Sequence, residues 1–142
     1  MENLKSCAIS FEASALEPRI GFDLVQISQI ENSISQFGDC FKQRLFTESE
    51  LHYAHRGVGL CAERLAVRFA AKEATIKALR LSNAGISWRD IEVCKLDDGD
   101  CELTLHGDVL KLACAMGVAK ILLSLSHDGD YAGAMVAVLF FT

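Results

Sequence analysis

The sequence has little proline and no long apolar run. Pro18 is its single proline, and 51% of its 142 residues are hydrophobic, so its composition argues against a disordered chain. No apolar stretch is both long enough and free enough of charge to cross a bilayer. The first ten residues lack the basic-then-apolar layout of a signal peptide. We therefore expect a cytoplasmic protein with one packed domain and no membrane partner.

Positive charge is also scarce. Lys and Arg number 14 against 19 Asp and Glu, which gives a net charge of −5 at pH 7, and no long basic run occurs. Because general nucleic-acid binding depends on clustered cations, this composition argues against it. A phosphate-bearing ligand stays compatible with the sequence, since a few cations on or near one segment can converge: Arg64, Arg68, Lys72 and Lys77.

The cysteines have neither zinc nor redox spacing. No two of them form a C-x-x-C pair, and most stand among apolar residues. The six positions are Cys7, Cys40, Cys61, Cys94, Cys101 and Cys114. We interpret them as small buried hydrophobic residues in a reducing compartment.

The stretch from Arg68 to Ala78 has no Gly or Pro and is rich in Ala. It predicts the centre of a helix that runs from about Cys61 to Leu81. Glu73 and Lys77 continue a row of residues four apart that begins with a leucine and a phenylalanine, beside a row made only of alanine. The alanine row allows another element to approach closely. A carboxylate on a half-buried row needs a cation or several donors; on spacing alone, an ordinary surface pair of Glu73 and Lys77 is the favoured alternative.

A second acidic residue stands inside an apolar segment. Ile20 to Ile27 is rich in bulky apolar residues and predicts a strand, and Asp23 lies in its middle. Asp is a poor strand former. Asp23 therefore either ends a short strand or caps a turn, or it has a chemical role.

The remaining segments predict an α+β domain, with a mainly antiparallel sheet packed against a long central helix. We interpret residues 1–18 as an N-terminal extension and residues 19–142 as a single domain. Before the central helix, apolar residues recur at helical spacing, and Thr47 opens a capping box. A Gly-rich break then precedes the central helix. The predicted segments are helices near 28–37, from Thr47 and at 107–116, a short segment at 41–46, strands at 91–96, 101–105, 120–125 and 131–141, and turns at 97–100 and 126–130.

Three blocks carry the most specific pattern in the chain. They read GFDLV at 21–25, RFAAKEA at 68–74 followed by Lys77 and Ala78, and SLSHD at 124–128 followed by Tyr131 and Ala132. In their text, order and spacing they resemble the holo-acyl-carrier-protein synthase family, a group of 4′-phosphopantetheinyl transferases. The resemblance covers nearly everything after residue 18, and the second block is its most specific part.

The resemblance implies transfer of 4′-phosphopantetheine from coenzyme A to a serine of an apo acyl carrier protein, with release of 3′,5′-ADP. It implies that Asp23 and Glu73 hold one Mg²⁺, an ion that prefers oxygen ligands and takes one or two protein carboxylates. Asp23, Glu73 and Lys77 are then the catalytic residues, with Lys77 at the phosphates. The side chains implied to contact coenzyme A are Arg68, Lys72, Lys77, Ser126 and His127. Without the third block, Ser126 and His127 fit equally a turn serine that bonds its own backbone and a solvated histidine.

The resemblance also implies a homotrimer with active sites between subunits, in which the first and last strands of the domain are candidate interfaces. The family often has Arg on the carrier-docking helix where this chain has Gln29. We therefore expect a more apolar docking surface with little charge steering. The expected docking residues are Gln26, Gln29, Ile30, Ile34, Lys42 and Arg44. The alternative function is that of a catalytically impaired coenzyme A- or carrier-binding paralogue.

Overall fold

A three-stranded antiparallel sheet with a 19-residue helix on one face forms the centre of the fold. The computed structural model describes residues 17–142, so most of the predicted N-terminal extension lies outside the described residues. The elements in chain order are β1 Arg19–Gln26, α1 Ile27–Phe37, α2 Asp39–Leu45, α3 Glu48–Ala54, α4 Cys61–Leu79, a 3₁₀ turn Trp88–Asp90, β2 Ile91–Lys95, β3 Cys101–Leu105, α5 Gly107–Ala115, β4 Val118–Asp128 and β5 Tyr131–Phe140.

The central sheet has the order β1-β5-β4, and both pairings are antiparallel. Asp23 on β1 lies opposite Ala134 on β5, which in turn lies opposite Leu125 on β4. Successive side chains of a strand point to opposite faces, so these three positions share the face that carries α4. Strands β2 and β3 form a separate hairpin. The predicted α+β class with antiparallel pairing is confirmed.

Helix α4 packs closely on β1 because small residues, Gly21 and a row of alanines, face each other where the two elements cross. A Cβ atom added to Gly21 would lie 1.8 Å from the carbonyl oxygen of Ala74 and 2.9 Å from the backbone nitrogen of Ala78. The alanines of the predicted row are buried here, as Ala70, Ala74 and Ala78 all are. The close approach that this row predicted is therefore confirmed, and it sets the distance between Asp23 and the helix.

The first turn of α1 is held by a residue far away in sequence. Gln26, which precedes the helix, makes no side-chain cap. Instead the backbone N–H of Ser28 donates to Oδ1 of Asp130 at 2.9 Å, its hydroxyl donates to Oδ2 at 2.6 Å, and the backbone N–H of Ile27 donates to the Asp130 carbonyl at 2.8 Å. The turn between β4 and β5 thus fixes where α1 begins, directly after the strand that carries Asp23. The capping box predicted at Thr47 and Glu50 is confirmed at the start of α3.

Three sequence predictions need correction. The turn predicted at 126–130 is shorter, because β4 continues to Asp128 and only Gly129 and Asp130 connect it to β5. None of the five described cysteines is buried, and Cys40 and Cys114 are exposed; Cys7 lies outside the described residues. Ile30 and Ile34 pack in or against the core, so they do not form an apolar docking surface on α1. Among residues 17–142, no helix is long and apolar enough to span a membrane.

Candidate active site

Asp23 and Lys77 meet where β1 crosses α4. The ammonium Nζ of Lys77 lies 2.9 Å from Oδ1 of Asp23 and donates to the Phe22 carbonyl at 3.1 Å. The Asp23 side chain is 15% exposed and that of Lys77 is 50% exposed. Lys77 therefore pairs with Asp23, and the favoured alternative from spacing, a plain surface pair of Glu73 and Lys77, does not describe this contact.

Glu73 lies one turn before Lys77 on the same row of α4. Its pKa is raised, first because burial disfavours the charged form and second because Asp23 adds negative charge nearby, while the charge of Lys77 acts in the opposite direction. The two carboxylates are thus close enough to interact electrostatically. One comes from a strand and the other from a helix, so the packing of Gly21 against Ala74 brings them together.

Glu73 lines a cleft beside the loop that follows α4. The cleft has a volume of about 330 Å³. The indole ring of Trp88 forms part of its wall and stacks on Phe69, with ring centroids 5.3 Å apart and planes 13° from parallel. Besides Glu73 and Trp88, the lining residues are Ile76, Leu81, Ser82, Gly85 and Ile86. The carboxylate pair therefore has a concave surface beside it that can receive an organic ligand.

The Asp23 and Glu73 carboxylates fit a hard divalent cation whose remaining coordination positions are filled by other ligands. Carboxylate oxygens are the ligands that Mg²⁺ prefers, and one or two from protein are usual when phosphate and water supply the rest. Burial and then the nearby charge of Asp23 raise the pKa of Glu73, and a bound cation would relieve the repulsion between the two carboxylates. Within the described part of the chain, no group of three or more His, Cys, Asp or Glu side chains is placed to enclose a metal. The residues present thus fit an open site rather than a closed one.

Comparison with known proteins settles the family. The family model of the 4′-phosphopantetheinyl transferase superfamily matches residues 19–136. The chain belongs to this superfamily. It is 42% identical to the holo-[acyl-carrier-protein] synthase of Gloeobacter violaceus over 123 residues, which cover 87% of this chain and 93% of that protein. It is 44% identical to the holo-[acyl-carrier-protein] synthase of Paramagnetospirillum magneticum, with 84% of this chain and 93% of that protein covered.

Solved structures of similar proteins agree with this assignment. The complex of ACPS with CoA from Chronobacterium ammoniagenes has a TM-score of 0.80 and 33% identity, covering 89% of this chain and all of that one. The holo-[acyl-carrier-protein] synthase of Helicobacter pylori in complex with coenzyme A has a TM-score of 0.73 and 29% identity, covering 84% of this chain and 98% of that one. The predicted family, transferase class and fold of this phosphopantetheinyl transferase are therefore confirmed.

Two cations predicted to contact coenzyme A lie away from the carboxylate pair in this transferase. Lys72 is fully buried, and its ammonium lies 2.7 Å from Oε1 of Glu50 and donates to the carbonyls of Ile91 and Trp88. Burial lowers the Lys72 pKa, and the Glu50 charge partly opposes this effect. Arg68 is five residues before Glu73, about 140° around the helix axis. The structure therefore does not bring Arg68 and Lys72 to the carboxylate pair. Lys72 is held in the core by Glu50, whereas Arg68 lines a cleft on another side of α4, and its predicted contact with coenzyme A stays a prediction.

Ser126 and His127 are adjacent on β4 and face opposite sides of the sheet. His127 lies opposite Ala132 on the α4 side, where its Nε2 lies 3.2 Å from Oε1 of Glu63. Ser126 lies on the outer face. The strand β5 separates both from β1, roughly 10 Å at the usual strand spacing. Within one chain, neither residue joins the group formed by Asp23, Glu73 and Lys77.

Two neighbours of the predicted residues were missed by the sequence analysis. Glu50 is the buried partner of Lys72, and its place in a capping box gave no sign of a second role. Glu63 contacts His127 from the first turn of α4. Glu63 on α4 and His127 on β4 are far apart in the sequence, so no local pattern could have paired them.

Proposed function

We propose that this chain transfers 4′-phosphopantetheine from coenzyme A to a serine hydroxyl of an apo acyl carrier protein and releases 3′,5′-ADP. In this reaction the serine oxygen forms a bond to the β-phosphorus of coenzyme A. The bond from that phosphorus to the bridging oxygen breaks, the bridging oxygen leaves with 3′,5′-ADP, and the proton of the serine hydroxyl passes to the solvent. Family membership supports the reaction type, and the cytoplasmic location expected from the sequence stays a prediction.

The residues of the site divide this work between them. Asp23 and Glu73 would hold Mg²⁺, which when bound supplies positive charge to the pyrophosphate oxygens. Lys77 neutralises Asp23 and brings a half-exposed ammonium to the same edge of the site, where it can also bind a phosphate oxygen. Transfer of a phosphoryl group depends mainly on positioning and on such electrostatic stabilisation. The cleft beside Glu73 is the proposed place for an organic part of coenzyme A.

We propose that the active unit is a homotrimer in which a neighbouring subunit completes each site. The outer face of the central sheet supports this proposal because it exposes large apolar side chains on all three strands. They are Ile20, Phe22, Leu24, Leu122, Tyr131 and Met135. Contiguous apolar surface of this kind marks interaction sites in stable proteins. In such an assembly, His127 could contact the coenzyme A bound by another subunit.

The observation that carries the proposal is the meeting of Asp23, Glu73 and Lys77 beside an open cleft. The test is incubation of the purified chain with coenzyme A, Mg²⁺ and an apo carrier protein, followed by mass spectrometry of the carrier. The expected result is a carrier heavier by one 4′-phosphopantetheine group, with one 3′,5′-ADP released for each transfer. A chain that binds coenzyme A but modifies no carrier would be the catalytically impaired paralogue.

A further inference from the structure

The last two turns of α4 leave one stripe of the helix uncovered. Between positions 73 and 80, the residues that the core does not bury are Glu73, Lys77 and Arg80. They are spaced by four and then three positions, so they lie on one side of the helix. Glu73 and Lys77 belong to the proposed transfer site. Arg80 ends the same stripe, at the point where α4 gives way to a loop.

Arg80 has a backbone conformation that arginine rarely adopts. With φ 57° and ψ 45° it lies in the left-handed region, and every other described residue with positive φ is glycine. Its N–H donates to the Lys77 carbonyl at 3.2 Å, and the N–H of Leu81 donates to the Ile76 carbonyl at 2.9 Å. These bonds form a Schellman motif, in which this position usually carries glycine because a Cβ atom is unfavourable there. Strained residues of this kind concentrate at functional sites.

No internal contact explains why an arginine occupies this position. Arg80 is exposed, and within residues 17–142 no carboxylate lies within ion-pair distance of its guanidinium. The Lys77 ammonium, by contrast, already contacts the Asp23 carboxylate and the Phe22 carbonyl, which occupy two of its three donors. Along the uncovered stripe, the Arg80 guanidinium is therefore the cation that stays available to a ligand.

The ligand of the proposed transfer brings more negative charge than Lys77 alone neutralises. Each phosphate of the coenzyme A pyrophosphate is negatively charged, and Asp23 and Glu73 add two carboxylates. Two other predicted cations do not reach this pair, because Lys72 is buried in the core and Arg68 lines a cleft on another side of α4. A further cation at the carboxylate pair is therefore expected. A guanidinium suits this role, since its planar fork can donate to two phosphate oxygens.

We propose that Arg80 is a further substrate-binding residue, whose guanidinium binds the pyrophosphate of coenzyme A beside Lys77. This inference rests on the proposed function, which supplies the ligand. The two cations lie about one turn apart on one helix, so a single rigid element presents both to the phosphates. Leu81, directly after Arg80, lines the cleft beside Glu73. Arg80 thus lies between the carboxylate pair and the cleft that is proposed to hold an organic part of coenzyme A.

The test is isothermal titration calorimetry of the full chain with coenzyme A, at one ionic strength and in buffer with Mg²⁺. Arg80→Gln removes the charge and should weaken binding about tenfold, the effect of one lost charge-assisted hydrogen bond. Arg80→Lys keeps the charge and should lose less affinity. Arg89→Gln is the matched control, because it removes an exposed arginine next to Trp88, which lines the same cleft. It should leave the affinity unchanged.

A second ligand and a second variant test the contact and the strain separately. The compound 3′-dephospho-coenzyme A keeps the pyrophosphate and lacks the 3′-phosphate, so Arg80→Gln should weaken its binding by the same factor. Arg80→Gly relieves the left-handed strain. It should therefore unfold at a urea concentration no lower than that of the parent chain, and still bind coenzyme A as weakly as Arg80→Gln.

The proposal is overturned if Arg80→Gln binds coenzyme A as tightly as the parent chain, or if Arg89→Gln weakens binding equally, since only overall charge would then matter. It is also overturned if the loss disappears with 3′-dephospho-coenzyme A, because Arg80 would then contact the 3′-phosphate. A lower urea midpoint for Arg80→Gly would assign Arg80 to stability instead.

The calorimetry also separates this inference from the proposed function. Transfer by the parent chain, together with unchanged affinity of Arg80→Gln for coenzyme A, would refute the role of Arg80 alone. A chain that binds coenzyme A through Arg80 but modifies no carrier would refute the proposed function alone. If the parent chain does not bind coenzyme A, both fail.

Discussion

The ammonium of Lys72 lies 2.7 Å from the carboxylate of Glu50, and neither side chain has any exposed surface. The carboxylate also accepts from the backbone N–H groups of Thr47 and Val93. One buried ion pair thus joins α3, α4 and β2. Because Lys72 directly precedes Glu73, this junction also fixes the rotation of α4 that presents Glu73 to Asp23.

Removing one partner of this pair should strongly destabilise the protein. Lys72→Met leaves the Glu50 charge buried without its cation, and losses of this kind cost about 3–5 kcal/mol of unfolding free energy. Urea unfolding at a fixed protein concentration measures the loss. Lys111→Met, which changes an exposed lysine in the same way, should stay within about 0.5 kcal/mol of the parent. Equal midpoints for the two variants would show that the buried pair does not hold the elements together.

A methyl group at Gly21 should push α4 away from β1. The added Cβ would lie 1.8 Å from the backbone oxygen of Ala74, and since backbone atoms cannot rotate aside, the helix must move. Overpacking costs about 1–3 kcal/mol or more, and the contact of Lys77 with Asp23 should lengthen. Gly21→Ala is therefore expected to lower both the urea midpoint and the transfer rate.

Gly133→Ala is the matched control for this change. It adds the same methyl to the neighbouring strand β5, where the nearest atom of the chain, Leu24 Cδ1, lies at an ordinary 3.5 Å. It should cost less stability than Gly21→Ala. If the two variants unfold at the same urea concentration, the close approach of α4 to β1 is not what limits substitution at Gly21.

A charge placed on the outer face of the central sheet should break the proposed homotrimer. Phe22 is 58% exposed on this face of β1, and burying a carboxylate in an apolar interface is costly. We expect light scattering to give a trimer mass for the parent chain and a smaller mass for Phe22→Glu. Leu110→Glu, at an exposed position on α5, should remain trimeric. A monomer mass for the parent chain at micromolar concentration contradicts the proposed assembly.

Gln29→Arg should speed the modification of an acidic carrier protein. Gln29 is exposed on α1, a helix that begins immediately after the strand of Asp23, and an added cation there should raise the association rate and steepen its salt dependence. A Lys42→Ala, Arg44→Ala double variant should slow association and flatten that dependence. The measurement is transfer rate against ionic strength. If Gln29→Arg leaves rate and slope unchanged, α1 is not the docking helix.

The sequence predicted the site residues that depend on one element or on a distinctive block. Asp23 stood out as an acidic residue in an apolar strand, and Glu73 and Lys77 share one row of a clear helix. The four-residue spacing along the helix could not show which sides of α4 other elements cover. Lys72 lies one residue from Glu73, yet that step turns it by about 100° into the core. Sequence alone did not reveal that α3 and β2 occupy that side.

Other differences have similar physical causes. The segment around His127 is rich in Ser, Asp and Gly, which predicts a long turn, but pairing with β5 extends the strand to Asp128. The exposed positions of Cys40 and Cys114 depend on how short helices lie on the core. The N-terminus of α1 depends on Asp130, about a hundred residues away from Ser28. Contacts of this range are set by the assembled fold and leave no local pattern.

The most direct test of this account is mass spectrometry of an apo carrier protein incubated with coenzyme A, Mg²⁺ and either the parent chain, Asp23→Asn or Glu73→Gln. Both substitutions remove a negative charge while keeping nearly the same shape, and circular dichroism checks that each variant stays folded. We predict complete addition of one 4′-phosphopantetheine group by the parent chain, and almost none by either variant or by the parent in excess chelator. Full modification by Asp23→Asn, or by the parent chain without divalent cations, would contradict the assignment of the Asp23 and Glu73 pair as the metal-binding centre of the transfer.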